Sequence, residues 1–389
     1  MSSTFADLGV PAAVDRSLRA RGITHPFPIQ AAAVPPALSG RDVCGRAPTG
    51  SGKTIAFGIP VALRAADARP GRPRALILAP TRELAAQIAS EMTLLFGRHG
   101  SQRVAAFYGG VGFGAQLSAL ARGVDVAVAC PGRLKDLISR GAADLSEVEM
   151  VVIDEADRMA DMGFLPEVRR LLDQVRPDRQ TLLFSATLDG EVDTLIRRYQ
   201  RSPVQVSVER DEQDRPPAEH HWVDTPREDR VKLAAHYISS HGATIVFCRT
   251  KHGTDRVARQ LMAAGVKAVP IHGGRSQSQR ERALDAFASG RAQALVATDV
   301  AARGIHVDGV GCVVHFDLPT TDKDYLHRSG RTGRAGAAGT VISFVTPADT
   351  EAAGLLRRAL GDGRPAPAQA VGPRPRPGRR RTRRRGAPA

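Results

Sequence analysis

The sequence predicts an α/β protein of two tandem domains, each built on a parallel sheet, and three observations carry that prediction. Short apolar runs of β type recur, each followed by a turn and a helical pattern, as βαβ units require. The rhythm runs once up to about residue 207 and starts again near residue 220, with a polar, proline-containing stretch between. At 389 residues the chain is too long for one ordinary core and suits two.

In chain order, RDVCGRAPTGSGKTIAFGIP (41–60) passes from a short strand through a glycine-rich turn into a helix. ALILAP (75–80), VDVAVACPG (124–132), MVVIDEAD (150–157) and TLLFSAT (181–187) come next. Such runs, rich in Val, Ile and Leu, suit parallel strands covered on both faces. VERDEQDRPPAEHH (208–221) is charged and holds two adjacent prolines, a composition that suits a linker. The second series is ATIVFCRT (243–250), KAVPIHGG (267–274), QALVATDV (293–300), GCVVHFDLP (311–319) and TVISFVT (340–346). The expected domains are therefore 1–207 and 222–360. Residues 361–389 offer too little apolar surface to offset chain entropy and are expected to be disordered.

Lys and Arg number 55 against 40 Asp and Glu, a formal charge of +15. Nine of those arginines, with no acid, lie in residues 363–389. A basic excess of this kind favours polyanions, either nucleic acid or an anionic membrane surface. No apolar run reaches 18 residues, so no membrane span is expected. MSSTFADLGV lacks a basic start followed by an apolar stretch, so no signal peptide is expected. Cys44, Cys130, Cys248 and Cys312 lie far apart without C-x-x-C spacing, which suits reduced, packed thiols rather than metal ligands or disulfides. A cytoplasmic protein is the expectation, and nothing calls for an obligate oligomer.

The chemistry concentrates where strands end. Ala47-Pro48-Thr49-Gly50-Ser51-Gly52-Lys53-Thr54 matches the phosphate loop except that Ala47 replaces its first glycine. Gly50 and Gly52 let the backbone curl so that N–H groups face phosphate oxygens, and the helix N-terminus adds partial positive charge. Lys53 is expected to reach the terminal phosphates and the Thr54 hydroxyl to ligate Mg²⁺. Apolar Met150 to Ile153 run into Asp154, Glu155 and Asp157, acids that are costly at the end of a buried strand unless something cationic meets them. Mg²⁺ with ATP as substrate is that charge: Asp154 would hold the metal, largely through water, and Glu155 would orient or deprotonate the attacking water.

With these motifs the sequence resembles the DEAD-box RNA helicases, whose name Asp154-Glu155-Ala156-Asp157 spells. The resemblance extends to about residue 346 and implies two RecA-like domains with an ATP and RNA cleft between them. GITHPFPIQ (22–30) is similar to the family's adenine-reading motif, implying Gln30 on the adenine edge and Phe5 stacked on the ring. PTREL (80–84), Gly109-Gly110 and CPGR (130–133) are similar to motifs that grip the RNA backbone, implying RNA contacts for Arg82, Gly110 and Arg133. Ser185 and Thr187 in SAT, together with Asp157, Asp299 and His327, are implied to couple hydrolysis to strand separation. Arg249, Gln277, Arg280 and Thr298 are implied RNA contacts of the second domain. Ser276 with Gln279 also reads as a helix capping box. Arg331 and Arg334 of YLHRSGRTGR (325–334) are implied arginine fingers toward the γ-phosphate.

The resemblance thus implies an RNA-stimulated ATPase that unwinds short duplexes. The arginine tail lies beyond it, and its charge is expected to attract RNA phosphates without sequence preference, a solubilising tail with no defined target being the alternative. Four positions depart from the family: Pro48 replaces Gln, Cys130 replaces Thr and Ile23 replaces an aromatic. His306 stands where an Asp contacts the ATP ribose, and Asp308 faces the same side if that segment is extended. An ATP-gated RNA clamp with little unwinding and a DNA-directed motor are the alternatives. Spacing alone does not exclude DNA.

Overall fold

A computed structural model describes residues 4–48, 50–96, 103–208, 218–302, 307, 309–333 and 339–360. The expected strands form, and they assemble as two parallel sheets. In the first domain these are β1 (Val43–Arg46), β2 (Ala75–Leu78), β3 (Val104–Phe107), β4 (Val126–Ala129), β5 (Met150–Asp154), β6 (Gln180–Ser185) and β7 (Val204–Ser207). Their order across the sheet is β3-β4-β2-β5-β6-β1-β7. The second domain contains β8 (Glu219–Asp224), β9 (Thr244–Phe247), β10 (Ala268–Ile271), β11 (Ala294–Ala297), β12 (Cys312–His315) and β13 (Thr340–Val345), in the order β10-β11-β9-β12-β13-β8.

Central strands are buried on both faces, which is why they read as unbroken apolar runs. Successive side chains alternate between the two faces. Ile77, Val152 and Leu182 therefore pack with Phe57, Ile88 and Met92 on one side, while Leu76, Val151 and Ile153 pack with Leu165 and Val168 on the other. Gly45 lies opposite Phe184 in the β1/β6 register, and a Cβ there would fall 2.5 Å from the Phe184 ring. That absence of a side chain lets the ring cross to Phe57, 5.7 Å away between centroids.

β3, β7 and β8 are absent from the apolar runs that mark the other strands, and all three are edge strands. An edge strand needs no apolar run on two faces, so VAAF, VQVS and the exposed EHHWVD carry no strong signal. β8 corrects the linker boundary: pairing with β13 begins at Glu219, inside the stretch expected to be linker. Residues 209–217 of that stretch lie outside the described residues, as do the tail 361–389, Thr49, His306, Asp308 and Arg334.

Ahead of β1, buried Asp42 ties three strands together. One carboxylate oxygen accepts from the Thr181 N–H and the other from the Arg201 N–H, both at 2.7 Å. Asp42→Ala leaves the buried Thr181 N–H unpaired, at about 1–3 kcal/mol, while the half-buried Arg201 N–H can turn to water at smaller cost. Denaturant unfolding of the first domain is expected to show a loss of that order, with Asp42→Asn recovering only part of it.

Candidate active site

Parallel strands deliver their C-terminal ends to one edge of a sheet, and ligand sites form outside that edge. In the first domain the register aligns three such ends: Arg46 lies opposite Ser185, and Asp154 opposite Phe184. Ser185 also ties together the loops leaving the other two strands. Its carbonyl accepts from the Ala47 N–H at 3.0 Å, and its hydroxyl accepts from the Asp157 N–H at 3.1 Å. The start of the phosphate loop and the carboxylate cluster are thereby fixed to the same residue.

Beyond Ala47 the chain turns through Gly50 and Gly52, at φ +83° and +88°, into the helix Lys53–Arg64. Ser51 donates its hydroxyl to the Pro48 carbonyl at 2.8 Å, and Lys53 Nζ donates to the Ala47 carbonyl at 3.1 Å. The ammonium is thus held inside the curl of the loop, and Lys53 is buried. Gln30 closes the loop from the helix Pro28–Leu38. Its amide oxygen accepts from the Phe27 N–H at 2.8 Å, and its amide nitrogen donates to the Gly52 carbonyl at 3.0 Å. The side chain expected to read adenine is here a brace between two backbone segments.

Phe5 requires a correction. Expected to stack on a purine, it is fully buried among the core side chains and exposes no ring face. Phe27 is the exposed aromatic beside the loop, 57% accessible and close to Gly52. Its signal in the sequence was its place three residues before Gln30, in a segment fixed by prolines on both sides.

The carboxylates sit deep. Asp154 is 2% exposed, and burial raises its carboxyl to about 6, with Lys53 pulling in the opposite direction. Glu155 occupies the next position in the left-handed region, φ +51°, an uncommon conformation for a residue with a side chain. Strain of this kind gathers at functional sites. Arg158, three residues on, donates to the Glu155 carboxylate at 3.0 Å, and both side chains are about 5% exposed or less. Sequence reasoning passed over Arg158, although a basic residue one helical turn after an acid is a legible pairing. Thr54 and Thr187 are both partly buried near this edge.

The residues expected to contact nucleic acid come next. Arg82 lies against Gly110, whose φ of +80° and missing side chain make room for the guanidinium. Arg133 is buried: it donates to the Val111 carbonyl at 2.9 Å and stacks 4.1 Å from the Phe113 centroid. It therefore shapes the Gly109–Phe113 turn. Glu83, next to Arg82, forms an ion pair at 2.8 Å with Arg280 of the second domain, without hydrogen-bond alignment. Both side chains are about 7% exposed or less. Arg280, expected on RNA, here bridges the domains, and Lys323 makes a second bridge to Asp161 at 2.7 Å.

In the second domain the capping box closes as expected, with Ser276 and Gln279 exchanging side-chain and backbone bonds. Gln277 donates to Glu281 at 3.1 Å and Thr298 is buried. Arg249 is exposed, and its N–H is held by Asp317 at 2.9 Å. Asp299, at the end of β11, receives a two-pronged contact from Arg328, at 2.5 and 2.7 Å. Arg328 also donates to the Asp317 carbonyl at 2.7 Å. The first arginine of HRSGRTGR, unassigned from sequence, is thus the anchor that orients its helix. Arg331 and His327 line a small cavity with Asp299 and Arg328, and Arg331 is 5% exposed. Burial raises Cys44 to about 11 and Cys130 and Cys312 to about 12, and all four thiols are free.

Comparison with known proteins places this geometry. The family model described as DEAD/DEAH box helicase matches residues 27–195, and the helicase conserved C-terminal domain matches residues 229–336. DEAD-box ATP-dependent RNA helicase 30 of Arabidopsis thaliana is 43% identical over 350 residues, 88% of this chain and 59% of that relative. ATP-dependent RNA helicase DBP2 of Scheffersomyces stipitis is 42% identical over 369 residues, 91% of this chain and 68% of the relative. The chain thus spans about three-fifths to two-thirds of the length of these relatives. Among solved structures, S. cerevisiae Dbp5 bound to RNA and ADP BeF3 matches with a TM-score of 0.77 at 26% identity, over 92% of this chain and 94% of that one. A DEAD box protein from Methanococcus jannaschii matches with a TM-score of 0.53 at 33% identity, over 93% and 98%.

The raised Asp154 carboxyl has a stability consequence for the nucleotide-free chain. A folded value near 6 against an unfolded value of 3.8 means the native state holds a proton that the unfolded state has released. Stability is therefore lost as pH rises between those values. Asp154→Asn removes that cost, so its melting temperature is expected to exceed the parent's by a few degrees at pH 7. The difference should vanish below about pH 4. A thermal melt across pH checks it.

Proposed function

The chain belongs to the DEAD/DEAH box helicase family, and from that premise we propose that it is an ATP-dependent RNA helicase that opens short duplexes locally while hydrolysing Mg-ATP. The observation that carries the proposal is the joint at Ser185, where the phosphate loop and the carboxylate cluster are pinned to one residue. Hydrolysis needs these two groups in register, because phosphoryl transfer depends on positioning and on charge neutralisation.

Lys53, buried and already inside the loop, turns from the Ala47 carbonyl to phosphate oxygens. Glu155, fixed by its backbone and by Arg158, orients the attacking water and accepts its proton. Thr54 and Asp154 offer one hydroxyl and one carboxylate, the hard oxygen donors that suit Mg²⁺ when phosphates and water complete the shell. When bound, Mg²⁺ neutralises charge on the terminal phosphates. Phe27 and Gln30 flank the side of the loop where a purine would lie.

The second domain supplies Arg331 and Arg334 as fingers, and Arg328, held by Asp299, sets the helix Asp322–Ser329 that precedes Arg331. Hydrolysis then requires the domains to be together, and RNA held by Arg82, Gly110, Gln277 and Thr298 favours the same arrangement. Asp157, Ser185, Thr187 and His327 are the coupling residues of this reading. The arginine tail adds salt-dependent attraction to RNA phosphates, and the protein works in the cytoplasm.

Lys53→Ala is expected to lower ATP turnover at least ~10²-fold. Glu155→Gln should retain ATP binding while turnover falls ~10²–10⁴-fold. Measured with RNA, with DNA and with neither, parent turnover should rise with RNA alone, and a short duplex should separate. Equal stimulation by DNA, or stimulation without separation, would overturn the helicase reading. Glu83→Gln and Arg280→Gln should each lower RNA-stimulated turnover, and the double variant should lose less than the two losses combined.

A further inference from the structure

The opposite edge of the first sheet, where β1, β5 and β6 begin, opens onto a groove of about 580 Å³. A strand's length separates it from Lys53 and Asp154, so it is no extension of the phosphate loop. Five arginines line it: Arg41, Arg64, Arg176, Arg179 and Arg201.

The acids nearby do not match them. Asp42 spends both oxygens on backbone N–H groups. Asp178 pairs with Arg176, and Glu149 is shared between Arg176 and Arg74, a residue outside the groove lining. Among the described residues, Arg41, Arg64, Arg179 and Arg201 have no carboxylate within ion-pair distance. Arg41 donates to the Ser202 carbonyl, Arg64 to the Gln180 amide oxygen and Arg179 to the Arg176 carbonyl, each at 2.9 Å. Neutral acceptors leave their charge without a direct ion pair, although Asp42 attracts Arg179 and Arg201 acts on Asp178 from further off. Arg179 also keeps a buried Nε with no partner, and burial lowers its pKa, against the attraction of Asp42 and with Arg201 adding repulsion.

Five guanidinium groups against the carboxylates of Asp42, Glu149 and Asp178 leave the concavity with an excess of positive charge that a further anion would offset. Their planar forks match phosphate oxygens in pairs, and the groove falls within the ~300–1,000 Å³ range of ligand sites. We propose that this groove binds clustered phosphate groups, supplied either by a strand of RNA beyond the helicase cleft or by a free polyphosphate compound.

The test uses the full chain, its phosphate loop saturated with a non-hydrolysable ATP analogue, so that the loop and the arginine tail contribute equally in every protein compared. The variants are R41Q/R201Q and R41E/R201E, both at exposed positions, with thermal melts confirming that each folds. Titration with inorganic tripolyphosphate is expected to show, above the tail contribution common to all three proteins, a saturable event that the first variant weakens and the second abolishes. If RNA is the source, RNA with a single-stranded extension loses affinity in the variants, and its log–log salt slope falls by about two. RNA confined to the cleft should be unaffected. A tripolyphosphate event alone assigns the groove to a free compound, and an effect on extended RNA alone assigns it to RNA. Unchanged binding of both probes in both folded variants overturns the proposal. Tripolyphosphate involves no RNA, so this arm stands or falls apart from the helicase reading.

Discussion

Ser185 carries the constraint on which the rest of the molecule depends. Its carbonyl and hydroxyl hold the entry to the phosphate loop and the end of the carboxylate strand. Neither bond involves a charged group, so the joint persists whatever the ionisation of the site. Around it the geometry is over-determined. Gly45 yields to Phe184, Asp42 ties the strand beginnings, and Gln30 links the Phe27 N–H to the Gly52 carbonyl. A site assembled from several loops can be accurate only if those loops leave the same rigid edge, and parallel strands in register provide one.

Charge burial is the second theme. Asp154, Glu155, Lys53 and Arg158 are all nearly inaccessible, an arrangement that costs stability in the absence of ligand. Glu155 offsets its share through Arg158, whereas Asp154 retains a raised carboxyl. A buried carboxylate kept short of positive charge gains more from any cation that reaches it. The Glu83 and Arg280 pair obeys the same logic between domains. A buried ion pair adds little net stability but penalises every arrangement that leaves one partner alone, which makes it better suited to defining a domain alignment than to strengthening it.

Much of this was legible in the chain. The alternation of apolar runs and helical stretches gave two parallel sheets, because strands covered on both faces must be apolar along their length. The sheet edges were not legible: β3, β7 and β8 are short, polar or half exposed, and pairing alone makes them strands. The phosphate loop and the DEAD stretch were legible because their chemistry depends on residues adjacent in sequence. Phe5 was misassigned because an aromatic near the start of a domain looks alike in sequence whether it meets a ligand or a core. Arg133 and Arg280 were assigned to RNA from motif alone, and in the structure their guanidinium groups are engaged by a carbonyl and a carboxylate of the protein.

By itself the sequence determined where the glycine curve, the lysine and the hydroxyl stand at the start of a helix, since these are local properties. It also determined the family and the two-sheet architecture, which rest on periodicity and motif order. Only tertiary structure decided which of the basic side chains are partnered. The joining of Arg328 to Asp299, of Arg158 to Glu155 and of Arg280 to Glu83, and the gathering of unmatched arginines at the far edge of the first sheet, depend on how elements pack. A guanidinium reaches several ångströms in many directions, and only the assembled surroundings select one.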